Sequence, residues 1–165
     1  MLLGTNKIKV KTKAPKSRGY IMYQGPSMLT GAEIVVIATM QTTNDKTGDM
    51  VQTWILDANT NPVEAIKTGA DENVCGHCPH RGTTCYVNVG QAPNAVYKGF
   101  KRGIYPQFDM ALHGAYFAHR KTRLGAYGDP AAAPYTTMAL IAGLGLGHTG
   151  YTHQIAHKGF DKRFI

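Results

Sequence analysis

The chain has 165 residues, 43% of them hydrophobic and 17% charged, which is enough apolar material for one domain with its own core and too much for a disordered chain. No run of 18 apolar residues occurs, and Met1-Leu2-Leu3-Gly4 leads into lysines rather than an apolar segment, so neither a membrane span nor a secretory signal is expected. Eighteen Lys and Arg against ten Asp and Glu leave a net charge of +8, and Lys7, Lys9, Lys11, Lys13, Lys16 and Arg18 sit in an opening stretch without acids. Residues 1–18 therefore read as a basic arm, either solvated and flexible or binding nucleic acid through its phosphates, ahead of a single domain over 19–165.

The chain reads as many short elements. Lys alternates with Ile8, Val10 and Thr12 over 7–12, a strand period with one wet face. Residues 19–23, 33–38 and 50–56 are β-rich, and Asn44-Asp45-Lys46-Thr47-Gly48 supplies turn chemistry, so the first 57 residues predict an antiparallel meander. Asn61 followed by Pro62 predicts a short helix over 62–67 stopped at Gly69. Helices are expected over 92–102, 108–119 and 131–143, and strands over 122–127 and 147–153. A strand, helix, strand order from 122 to 153 predicts a right-handed parallel crossover, with Asp129 and His153 at the carboxyl ends of its strands. The fold class expected is α/β with α+β character, an antiparallel meander joined to a small partly parallel βαβ unit.

All three cysteines fall in Cys75-Gly76-His77-Cys78-Pro79-His80-Arg81-Gly82-Thr83-Thr84-Cys85-Tyr86. A disulfide framework favours an even count and wider spacing, so a metal or cluster is the better reading of Cys-x2-Cys-x6-Cys, with free thiols the alternative. Structural zinc needs four ligands, and His77 or His80 would have to complete the set from within the crowded loop. Three cysteines without a fourth suit a [4Fe–4S] cluster with one iron open or held by another residue type, and a domain this large does not need zinc to fold. The reading favours iron–sulfur and keeps Zn2+ as the alternative.

Other polar groups gather in the second half. Arg123 and Tyr127 share side-chain parity on a strand, and Asp129 follows in the turn, either as a pocket lip or as the cap of the next helix. His148, His153 and His157 are spaced five and four apart; His153 is the candidate to reach the cluster or act as acid or base, and ordinary hydrogen-bonded histidines are the plainer reading. Gly143-Leu144-Gly145-Leu146-Gly147 follows a helix, so it is a weak dinucleotide signal. Lys98, Lys101, Arg102, Arg120, Lys121 and Arg123 with Tyr97, Phe100 and Tyr105 read as a mixed surface over core aromatics, or as a basic aromatic patch.

The segments 49–56, Cys75-x2-Cys78-Pro79-x5-Thr84-Cys85-Tyr86, Arg123-x-Gly125-x2-Gly128-Asp129-Pro130 and Gly150-Tyr151-Thr152-His153 together resemble small uncharacterised proteins of tailed bacteriophages and prophages, across residues 24–157. More distantly they resemble larger phage families with a radical-SAM-like iron–sulfur partial barrel. That resemblance implies Cys75, Cys78 and Cys85 as cluster ligands, with Arg123, Asp129 and His153 facing the cluster. The cysteine spacing departs from Cys-x3-Cys-x2-Cys, no Gly-Gly-Glu-like segment follows, and the chain is too short for a full barrel. The combined expectation is a viral iron–sulfur protein in the cytoplasm of an infected host cell, performing redox or sulfur-transfer chemistry on a small or nucleotide-like substrate. The competing expectation is a non-catalytic zinc module whose arm contacts nucleic acid or a virion component.

Overall fold

The computed structural model describes residues 17–40 and 45–165; the alternating stretch at 7–12 and almost all of the basic arm lie outside the described residues. Five strands form one mixed sheet in sequence order: β1 (Gly19–Pro26), β2 (Glu33–Thr39), β3 (Val51–Asp57), β4 (Thr122–Tyr127) and β5 (His148–Thr149). β1, β2 and β3 pair antiparallel, whereas β3–β4 and β4–β5 pair parallel. The fold is thus mixed α and β, a meander extended by a parallel half, as the sequence pattern predicts.

β2 is buried along Ile34-Val35-Val36-Ile37-Ala38, because layers cover both faces of the sheet; a strand in that position reads as a continuous apolar run rather than an alternating one. One core cluster joins Val35, Ile37 and Leu56 to Val96, Tyr97 and Ile141, and a second at one end of the sheet gathers Tyr20, Met40, Val51 and Phe117.

The parallel half contains a connection the sequence reading did not anticipate. The chain from β3 to β4 is a crossover spanning residues 58–121, carrying α1 (Pro62–Thr68), α2 (Glu72–Cys75), α3 (Ala92–Lys101) and α4 (Met110–His113). α1 begins as expected: the Asn61 side chain accepts the Glu64 amide, Pro62 takes the first turn, and Gly69 at φ 83° ends it. α2 was not foreseen. The expected helix over 108–119 shrinks to α4 and a 3-10 turn at Gly114–Tyr116. The helix expected over 131–143 begins only at α5 (Tyr135–Gly143), because Pro134 forces Ala133 into an extended conformation (φ −99°, ψ 159°) after a 3-10 turn at Pro130–Ala132. The strand expected over 147–153 is two residues long, and His153 lies beyond it in a loop.

Both parallel connections leave their preceding strands at the same edge, so the segments after β3, β4 and β5 meet at the carboxyl ends of the strands. Among the described residues no helix is long and apolar enough to cross a membrane.

Candidate functional site

The cysteine segment hangs from α2, and α2 is tied to the end of the sheet. The buried Asp57 carboxylate, at the end of β3, accepts the amides of Asn59 and Thr60, both at 2.8 Å, and the Asn73 side-chain amide at 2.6 Å. Ser27 Oγ donates to the Asn73 carbonyl at 2.6 Å, and the Asp129 amide donates to the Val74 carbonyl at 2.7 Å. Cys75 is the last residue of α2, so these bonds set it at the carboxyl ends of β3 and β4.

From Cys75 the chain turns at Gly76, whose φ of 51° suits glycine and where a Cβ would lie 2.8 Å from Gln154 Cδ. Short turns follow: the Cys78 amide donates to the Cys75 carbonyl at 3.2 Å and the Cys85 amide to the His80 carbonyl at 3.0 Å. Arg81 clamps them. Its guanidinium bonds both Asp71 oxygens at 2.8 Å, the Gly76 carbonyl at 2.8 Å and the Gly69 carbonyl at 3.3 Å. The Asp71 side chain is almost fully buried and that of Arg81 a quarter exposed, so the carboxylate end of the pair is the one held away from water.

The result is a half-open cavity of about 280 Å³ lined by Cys75, Cys78 and Cys85, with His80, Tyr127, Asp129, Tyr151 and His153 around them. Three thiols ten residues apart at most, and groups from two later loops, therefore face one space. The chain matches no known family model, curated protein or solved structure. The site's chemistry accordingly rests on its own residues.

Of the residues singled out from sequence, the three cysteines, Asp129 and His153 line this cavity, and Arg123 does not. β4 gains extra residues against β3 between Arg123 and Tyr127, where Gly125 takes φ 69°, so the two side chains no longer share a simple strand face. Tyr127 turns to the cysteines, while Arg123 lines the neighbouring groove and reaches the cavity through its 2.9 Å hydrogen bond to Tyr86 Oη, itself 2.8 Å from Tyr151 Oη.

Asp129 serves the protein's own backbone. Its carboxylate accepts the Ala131 amide at 2.9 Å, the His153 amide at 2.7 Å and the Gln154 side-chain amide at 3.4 Å. It is a cap and a strap at once, positioning the segment that carries His153. The His153 ring stands 5.2 Å from that of His80, edge to face, and His80 Nδ1 lies 2.6 Å from Thr84 Oγ1. His153 and His157 share no helix; His157 sits near His77 instead, with rings 6.2 Å apart. His148 lines a separate small cavity.

Two residues that sequence reasoning passed over hold the site together. Arg81 is one. The other is Gln154, 1% exposed, which donates to the Cys75 carbonyl at 2.9 Å and accepts the His77 amide at 3.2 Å, joining the C-terminal loop to the cysteine turn.

All three cysteines are free thiols, Cys85 exposed and the others half-buried. Among the described residues no three His, Cys, Asp or Glu side chains are arranged to hold a metal ion. Burial, then the negative charge of Asp71, Cys78 and Cys85, pushes the Cys75 thiol from its ordinary 9.0 up to about 12. Between pH 9 and 12 the unfolded chain has released this proton and the folded chain has not. Stability of the protein stripped of metal under reducing conditions is therefore full below pH 9 and falls as pH rises toward 12. Urea midpoints at pH 8 and 10 should show this drop, and Cys75→Ala should make it smaller; an equal drop in the variant would contradict the assignment.

Proposed function

We propose that the chain holds a [4Fe–4S] cluster through Cys75, Cys78 and Cys85, with one iron left without a cysteine ligand. The observation that supports this most is the convergence of all three cysteines on one half-open cavity that imidazole, phenol and carboxylate side chains also line. Cys78 and Cys85 lie on turns outside regular secondary structure, so the loop can tighten on an inorganic centre. The phage origin and cytoplasmic setting remain part of this reading through the sequence resemblance.

When bound, such a cluster supplies electron transfer, or a Lewis-acidic iron at the position no cysteine fills. The chain's own groups do the rest. Gln154 and Arg81 fix the turn that carries the thiols, and Asp129 holds the loop bearing His153. His153 and His80 are the imidazoles able to ligate the remaining iron or to move a proton beside it.

The same two imidazoles support a second reading, a Zn2+ site of three thiolates and one histidine. In that case the protein is a structural module and its basic arm makes nucleic-acid or virion contacts. Cys78→Ala separates the ligand set from chance. Anaerobically purified variant protein is expected to lose its iron, inorganic sulfide and brown colour together; a full cluster retained in the variant would refute the assignment.

A further inference from the structure

A groove of about 1000 Å³ opens beside the cysteine cavity and shares Tyr86, Val87 and Ala126 with it. Its volume lies at the upper end of the roughly 300–1,000 Å³ usual for small-molecule sites. The floor is the sheet face carrying Thr39, Gln52, Trp54 and Arg123, which strand pairing puts side by side. The wall is the start of α3, whose first turn contains no acidic residue and which no side chain caps.

Three guanidinium groups, Arg18, Arg120 and Arg123, line this groove against one carboxylate, Asp49. Among the described residues none of the three pairs with an acid. Arg123 donates to the Tyr86 hydroxyl and Arg120 to the Met40 carbonyl, so both are held in place by neutral acceptors and neither is in a salt bridge among the described residues. Like charges gathered on a concave surface repel one another, and an anion relieves that cost.

The groove also offers a flat aromatic. Trp54 Nε1 donates to Thr39 Oγ1 at 2.8 Å, which fixes the indole against the floor. Beside it Gln52, 3% exposed, gives the Met50 carbonyl a long 3.4 Å bond and retains capacity for a base edge. Guanidinium groups suited to phosphate, next to an indole and an amide, are the complement of a nucleotide.

We propose that this groove binds a nucleoside phosphate, the base against Trp54 and the phosphate on Arg123 and Arg120. The claim names a substrate class for the neighbouring cavity, yet as binding it stands without the cluster, because no thiol lines the groove.

Trp54 is the only tryptophan in the chain, so its fluorescence reports the groove directly. Full-length protein, reduced and stripped of metal, is titrated with AMP, GMP, CMP and UMP to millimolar concentration. Saturable quenching by at least one of them is expected, with none by inorganic phosphate. Arg123→Ala should weaken binding on the order of tenfold or more, the loss expected for one charge-assisted hydrogen bond. Arg120→Ala removes the other proposed phosphate contact, should weaken binding as well and serves should the first variant not fold. Absence of saturable quenching, or unchanged affinity in the folded variants, overturns the proposal. Saturation by single-stranded DNA but by no mononucleotide overturns it in favour of a strand-binding face. Because iron content is read separately, failure here leaves the cluster assignment untouched, and the reverse holds.

Discussion

Arg81→Ala should destabilise the protein by roughly 3 kcal/mol and strip the cysteine loop of its shape. The magnitude is the low end of the loss expected when one partner of a buried ion pair is removed, taken because the Arg81 side chain is a quarter exposed. Asp71, 7% exposed on its side chain, would be left charged with no cation, and the Gly76 and Gly69 carbonyls would lose a donor. The double variant Arg81→Met with Asp71→Asn should cost less than Arg81→Ala alone, because no lone carboxylate stays buried. Urea denaturation measures both. A loss under about 1 kcal/mol for the single variant would mean that the clamp is an exposed pair of ordinary weakness.

Gln154→Ala is the second large loss, about 2–3 kcal/mol, from a cavity at a site 1% exposed and from hydrogen bonds removed at the Cys75 carbonyl and the His77 amide. Gln154→Leu fills the space and removes only the hydrogen bonds, so it should lie between wild type and alanine. The variants should also bring the Cys75 thiol into faster reaction with iodoacetamide, because the C-terminal loop no longer covers the turn. Unchanged alkylation in a variant that has lost stability would show that Gln154 packs the core without positioning the site.

These two residues mark where sequence reasoning stopped. Cys75, Cys78 and Cys85 stand out in the sequence because three such residues in eleven positions are chemically conspicuous, and one turn brings them together. Asp129-Pro130 carries its own local signal, and the carboxylate does cap the Ala131 amide. Arg81 and Gln154 are ordinary polar residues whose importance comes from partners 10 and 79 positions away. Local pattern says nothing about such pairs.

The fold divides the same way. β2 and β3 announce themselves by β-branched runs, and α1 by its cap and its stop glycine. The parallel pairing of β3 with β4 was hidden because 64 residues separate the strands, and no short-range signal specifies a partner at that distance. Arg123 and Tyr127, expected to share a strand face, line different spaces for a local reason. A strict period of two assumes an unbroken strand, and the irregularity at Gly125 breaks it.

The most direct test is the iron and acid-labile sulfide content of wild-type protein purified without oxygen, read together with its absorption spectrum. A brown protein with about four irons per chain and a broad band at about 400 nm is the predicted result. Colourless protein carrying one zinc per chain, or three thiols that titrate as free with no metal bound, would contradict it.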